Sequence, residues 1–348
     1  MANIDFSRAY KSTLSLRSVD PQTWTSGSPI EGLVSASVER DCTDEYPLLE
    51  TGSVEVDMGV WDSFPEGWYR IEMLAEQGGL VERHAIATLL MSSTQSSIDR
   101  RLQTAKVEGR SVLKPASDRL MLVGTYAPKG CDGALYAAGL LRECTPAPVV
   151  VSGSFTLDEH AVFGAGISYL QAAWTVLKAA DWCMRILGDG TIEVCPKPTE
   201  AKMELDARGR ALMIPGADKS ADLSDVPNRY FAVDGDEVGQ AVNDQGTETS
   251  IQARGRYVDY IDESPVKVNG ETMTAYARRK LQEMSTVTTE FSYTRDYAPD
   301  VTCFDVMAGR VDEFGMEGAF RVLKQSLTCS RGVTVSETLG REERLFTA

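Results

Sequence analysis

The chain has 348 residues, 43% apolar and 25% charged, an ordinary globular composition with room for about two domains. Its 51 acidic and 35 basic side chains give a formal net charge of -16, which argues against a protein that grips nucleic acid by neutralising phosphates but not against one that nucleic acid passes without sticking. No apolar run reaches the roughly 18 residues of a membrane span, and the start, MANIDFSRAYKST, lacks an apolar signal core.

Residues 1–110 read as strands. Alternation marks Ser12 to Arg17, then Gly32 to Arg40 with Val34, Ala36 and Val38 on one face, then Ser53 to Met58 with Val54, Val56 and Met58 together. Trp68 to Leu74 and Val81 to Leu90 follow across a Gly78-Gly79 turn, and Leu102 to Val107 closes the block. Six short strands spaced by Pro, Gly and Asp turns predict a small barrel or sandwich.

Residues 111–225 change character. A short helix broken by Pro115 is expected within Val112 to Val123. A second is expected over Ala134 to Glu143, with Leu135, Ala138 and Leu141 near one face, ended by Thr145-Pro146-Ala147-Pro148. Val149 to Val151 reads as a short strand and Phe155 to Gly166 as loop. The clearest stretch is Ser168 to Pro196. Leu170, Ala173, Trp174 and Leu177 share one helical face, and Ser168 with Gln171 forms a capping box, so a helix is predicted over 168–180. A hairpin over 182–195 follows. Trp182, Met184 and Ile186 alternate with Cys183 and Arg185, Gly188-Asp189-Gly190 makes the turn, and Ile192 and Val194 lie on the return strand. Residues 197–225 are polar with little periodicity.

Residues 226–348 return to strand patterning. Asn228 to Val233 leads into the Asp234-Gly235-Asp236 turn, and Val238 to Val242 and Ser250 to Tyr260 are weaker strands. A helix capped by Asn269 spans 270–285, with Met273, Tyr276, Ala277, Leu281 and Met284 on one face and Arg278 and Arg279 pointing away. Val287 to Tyr293, Asp305 to Val311, Gly318 to Leu327 and Val333 to Leu339 complete a meander.

Catalytic constellations are scarce. His84 and His160 lack metal-ligand spacing, no G-x-S-x-G elbow accompanies them, and no P-loop occurs. Asp189 with Glu193, or Asp234 with Asp236, lacks the run of alternating acids of a calcium loop. Seven cysteines without a C-x-x-C read as free thiols of a reducing cytoplasm. Two carboxylates placed for glycoside hydrolysis remain open among so many acids. Trp61, Trp68 and Tyr69 are either a sugar-stacking platform or core and turn packing. No catalytic, cofactor or metal residue is assigned. The exposed turns on the two β blocks supply the interaction candidates: Asp62, Phe64 and Glu66 in the first, and Asp234, Asp236 and Glu237 in the second.

Several phrases occur in a telling order. They are GWYRIEMLAEQGGLVERHAIATLL, then VEGRSVLKPA, then ISYLQAAWTVLKAADWCMRILGDGTIEVCPKP. DVPNRYFAVDGDE follows, then GETMTAYARRKLQEMSTVTTEFSYTRDYAPDVTCFDVMAGR, and finally EGAFRVLKQSLTCSRGVTVSETLGRE. Together they resemble the tail or baseplate hub proteins of tailed bacteriophages and related contractile injection systems, over most of residues 30–345. The resemblance implies a mixed β/α, mainly β chain: two small β-barrel domains related by pseudo-symmetry, joined by an α/β middle segment. Residues 1–110 would be the first barrel, 111–225 the connecting domain, and 226–348 the second barrel with the inserted helix 270–285.

The same resemblance implies a non-enzymatic homotrimeric ring in the virion, assembled in the host cytoplasm. The ring would adapt a hexameric tail tube, or a distal tail protein ring, to a trimeric spike, fibre or other tail-tip protein. It would surround a channel for DNA and the tape-measure protein. The chain stops at Ala348, soon after the second block, so a peptidase, lysozyme or receptor-binding module is expected on another chain. The alternatives carried from composition are a carboxylate-dependent cell-wall glycoside hydrolase or a glycan-binding module at the tail tip.

Overall fold

The computed structural model describes residues 4–344 apart from 7, 43–48, 58–64, 100–101, 123, 158–159, 207–213, 222, 264–271, 300, 312–315 and 331. The fold is mainly β with short helices, a mixed β/α arrangement as the sequence predicts. The chain divides into two compact units, Met1–Ala217 with Ser292–Leu339, and Asp218–Phe291 with Gly340–Ala348.

The larger unit opens with β1 (Lys11–Val19), β2 (Ser26–Ile30), β3 (Leu33–Asp41), β4 (Leu49–Asp57), β5 (Gly67–Gln77), β6 (Leu80–Asp99) and β7 (Leu102–Arg110). They lie side by side in the order β3-β4-β7-β6-β5-β1-β2. Alternation sets the buried face: Val54 and Val56 of β4, Ile71 and Met73 of β5, and Val107 of β7 all point into one core. Val34 departs from its predicted face and is 45% exposed. The register slips between Leu33 and Ser35, and this bulge turns Val34 outward while Ala36 and Val38 stay buried. Short β2, SGSPI, carries no alternation that would have announced it.

The middle of the chain holds α1 (Lys114–Asp118), β8 (Tyr126–Ala127), α2 (Gly133–Arg142), β9 (Val149–Val151), β10 (Ala161–Val162), α3 (Tyr169–Ala179), β11 (Trp182–Ile186), β12 (Ile192–Pro196), β13 (Ala201–Asp206) and β14 (Ile214–Ala221). Pro115 does not break its helix. It sits in the first turn of α1, where a missing N–H costs nothing. The capping box on α3 is formed: Ser168 Oγ accepts from Gln171 N at 3.1 Å, and Gln171 Oε1 accepts from Ser168 N at 3.1 Å. Leu170, Ala173, Trp174 and Leu177 are all buried. On α2 the buried face is Ala134, Ala137, Ala138, Leu140 and Leu141, while Leu135 is 54% exposed. Alanines on that face, and Ala172 and Ala173 on α3, are small enough for the two helices to pack closely. β11, β12 and β9 form a three-stranded sheet. All five residues of β11 are buried, so the alternation of Trp182, Met184 and Ile186 against Cys183 and Arg185 does not separate a wet face from a dry one.

Strands from the end of the chain complete the larger unit. β18 (Thr286–Asp296) and β21 (Val333–Arg344) span the boundary between the units, while β19 (Val306–Val311) and β20 (Met316–Cys329) lie within the larger one. β20 pairs with β3, setting Leu327 opposite Val38 and Cys329 opposite Ala36. Leu327, Cys329, Val333 and Val335 enter the same core as Val54 and Ile71. β13, in the stretch read as featureless, lies parallel to β19.

The smaller unit contains β15 (Arg229–Asp234), β16 (Glu237–Val242), α4 (Ile251–Arg254), β17 (Asp259–Asp262) and α5 (Met273–Met284). The three strands run β16-β15-β17. Met273, Tyr276, Ala277 and Leu281 of α5 pack on Tyr230, Ala232 and Ala241, as the helical face predicts. The expected strand from Ser250 starts instead as a helical turn, capped by the Ser250 hydroxyl and ended by Gly255 in the left-handed region. Asn269, the predicted cap of α5, lies outside the described residues. The Thr272 hydroxyl accepts from Ala275 N there.

Candidate interaction surfaces and the sites that hold them

Of the six candidate contact residues, Asp62 and Phe64 lie outside the described residues. Glu66 is exposed at the bend before β5. Asp234, Asp236 and Glu237 come together at the tip of the β15–β16 hairpin, all exposed, with Asp234 and Glu237 directly opposed. Gly235 has φ +59°, the position where a two-residue hairpin loop favours glycine. The tip is therefore a small, solvated, acidic projection of the smaller unit.

The other candidate chemistry resolves into structure. Tyr69 is buried and its hydroxyl donates to Pro65 O at 3.0 Å, while Trp68 meets Trp24 edge to face. These two rings are packing, not an open platform, and Trp61 lies outside the described residues. His84 Nε2 is 3.1 Å from Glu82 Oε2, and His160 Nδ1 accepts from Lys129 N at 3.0 Å. Asp189 Oδ1 accepts from Thr191 N, an ordinary turn contact. Among the described residues no group of His, Cys, Asp or Glu is arranged to hold a metal ion, and no helix is long and apolar enough to cross a membrane.

Two arrangements escaped the sequence reading. The first is a buried polar network inside the larger unit. Arg295 donates to both carboxylate oxygens of Glu337, and Tyr293 donates to the same carboxylate. Gln325 Nε2 donates to Glu337 Oε1, and Gln325 Oε1 accepts from Arg40 Nη1 at 3.3 Å. Arg40 also donates to Glu50 and to Ile86 O, each at 2.6 Å. Burial pushes the Glu50 carboxyl up, against the pull of Arg40. Burial also pushes the Tyr293 phenol up. These partners lie on six different strands, so no local motif could reveal them. A cleft of about 300 Å³ opens beside the network, lined by Arg40, His84, Tyr297 and Thr302.

The second is a joint. The β11–β12 hairpin tip lies against the first β block. Trp24 Nε1 and Arg70 Nη2 donate to Asp189 O at 2.8 and 2.7 Å, and Thr88 Oγ1 donates to Gly188 O at 3.1 Å. A Cβ on Gly188 would fall 1.9 Å from Ala85 O. The glycines chosen by the turn thus also permit the approach. Arg70 is held in turn by Thr88 and Ser26, through bonds of 3.0 and 2.9 Å.

Large apolar side chains remain on the surface. Around the β8–β10 pair these are Leu120, Leu122, Tyr126 and Val162, with Tyr126 directly opposite Val162. On the smaller unit, Val238, Val242 and Ile261 are exposed. Such groups are the usual material of protein–protein contacts.

No protein-family model matches the sequence, and no curated protein matches it either. Solved structures do match in fold. A tail protein from Neisseria meningitidis superimposes with a TM-score of 0.66 at 12% identity, over 97% of this chain and 98% of that one. The 43 kDa tail protein of prophage MuSo2 from Shewanella oneidensis gives 0.63 at 11% identity, over 95% and 98%. An Escherichia coli component of the type VI secretion system, described as structurally similar to the bacteriophage T4 tail proteins gp27 and gp5, gives 0.50 at 10% identity, over 91% and 75%. The chain has the fold of these tail proteins over nearly its whole length.

Proposed function

We propose that this protein is a non-enzymatic structural subunit of a phage tail tip or baseplate, located in the virion. The observation that carries this is the end-to-end fold match to the Neisseria meningitidis tail protein, 97% of one chain on 98% of the other. A match of that extent leaves little of this chain for a separate catalytic module. The fold likeness to a type VI secretion component described as similar to bacteriophage tail proteins supports the same structural reading, and the position we propose within the tail is the hub. In that position the chain forms a homotrimeric ring, which joins a hexameric tail tube or distal tail ring to a trimeric spike or fibre. The ring surrounds the passage for DNA and the tape-measure protein. Two strand sets of similar plan, linked by the α/β middle of the chain, give the ring its sixfold-like face. The acidic balance keeps a polyanion off the wall it passes. The turn at Glu66 and the tip at Asp234, Asp236 and Glu237 are the proposed contacts with neighbouring tail proteins. Exposed apolar side chains around Tyr126 and Val162 support a protein that buries surface on assembly.

The test is the mass of the purified protein in solution, followed by negative-stain imaging. A trimer with a central hole and six-lobed projections is expected. A protein that stays monomeric alone and also when mixed with tube and spike proteins overturns the hub assignment.

A further inference from the structure

The hairpin behind the docked tip carries two thiols that the structural role does not use. Cys183 and Cys195 are directly opposed on β11 and β12, both buried, with their sulfurs 3.8 Å apart. Directly opposed residues of an antiparallel pair have Cα atoms about 4.5–5.5 Å apart, inside the span of about 4.4–6.8 Å that a disulfide bridges. A side-chain rotation closes the remaining gap without moving the backbone. Two positions along on each strand, Arg185 faces Glu193, and the guanidinium is held by Glu193 at 3.5 Å and Asp305 at 2.9 Å. The hydrogen bond shared by the two sulfurs, in which either can be the donor, and the nearby Arg185 guanidinium lower the Cys195 thiol, while the shared bond and burial raise Cys183. The shared bond lets one sulfur of the pair ionise while the other keeps its proton.

We propose that Cys183 and Cys195 are a redox pair that closes to a disulfide when the folded protein meets a small hydroperoxide. Burial selects the oxidant, since hydrogen peroxide is close to water in size. The Cys195 thiolate attacks one peroxide oxygen, the O–O bond breaks, and the departing hydroxide takes up the thiol's proton as water. The sulfenic acid left on Cys195 is then displaced by the Cys183 sulfur, which loses its proton as the hydroxyl leaves as a second water. Two thiols and one peroxide become one disulfide and two waters. The bond ties together the two strands whose tip is docked on the first β block. The occasion for oxidation rests on the proposed tail role, because a particle released by lysis leaves a reducing compartment; the bond itself does not depend on that role.

The test uses the full chain, purified reduced, treated with hydrogen peroxide, alkylated, and digested without reduction. Trypsin cuts after Arg185, so the bond appears as a link between the peptide ending there and the peptide holding Cys195. The expected result is that link in the wild type, with a higher Tm before dithiothreitol than after it, and neither effect in Cys195→Ser. Alkylation of both cysteines on unfolding the oxidised protein would overturn the proposal. So would a bond between Cys42 and Cys303, the other neighbouring thiols, or sulfinic acid on Cys195 with no link. The wild-type map decides even if Cys195→Ser does not fold, and it reads the same whether the protein is monomer or ring.

Discussion

Arg295 is 1% exposed, and its charge is tolerable only because Glu337 meets it through two parallel hydrogen bonds. Glu337→Gln leaves that guanidinium buried and unbalanced. The expected loss is about 3–5 kcal/mol, read as a lower urea midpoint. The double variant Arg295→Met with Glu337→Leu removes both charges and is expected to cost less than Glu337→Gln alone, which a double-mutant comparison would show. At the surface of the smaller unit, Arg229 donates to both oxygens of Asp259, at 2.6 Å each. The bond holds the Asp259 carboxyl below the usual range. A depressed folded value means that this contact supports the fold above the ordinary aspartate range, and that its support fades as pH falls through the lowered value. In a carbon-detected NMR titration Asp259 is expected to protonate below an ordinary aspartate, and Arg229→Ala should move its midpoint upward. None of these pairings was legible in the sequence. Arg40, Arg295 and Glu337 sit in strands whose alternation gives the face they occupy but says nothing of which acid meets which base.

Elements were legible where their signals are local. The capping box of α3 is complete within four residues, and the face through Leu170, Ala173, Trp174 and Leu177 is a property of one helix. Ser168→Ala is expected to cost about 1 kcal/mol of stability, measured as a shift in thermal midpoint. The hairpin tip behaves differently. Gly188→Ala would drive a Cβ into Ala85 O, whereas a Cβ at Gly139, inside α2, meets nothing within 4 Å. Thermal melts should therefore show opposite signs. Gly188→Ala lowers stability, and Gly139→Ala raises it by about 0.5–1 kcal/mol, because a helix favours alanine. Sequence reading located the tip's glycines as turn residues but not as contact residues, since a turn explains them fully by itself. β13 was missed for another reason. Ala201, Met203 and Leu205 do alternate with Lys202, Glu204 and Asp206, but the polar surroundings masked so short a run.

For the whole molecule, much of the order of strands and helices was readable and the pairing that joins the early strands to the late ones was not. β3 and β20 are far apart in sequence, and nothing in either strand names its partner. Because Leu327, Cys329, Val333 and Val335 share a core with Val38 and Val54, a fragment of residues 1–110 is expected to show no cooperative thermal transition by circular dichroism. Co-expression with residues 197–348 should restore one. The joint at the hairpin tip bears on the same scale. Trp24, Arg70 and Thr88 grip carbonyl oxygens, and a carbonyl is the same in every amino acid. A lineage can therefore exchange the side chain at Asp189 without losing the grip, provided its neighbours remain glycine. Recognition through the main chain is indifferent to spelling, which lets an architecture persist while the letters that first wrote it drift beyond comparison.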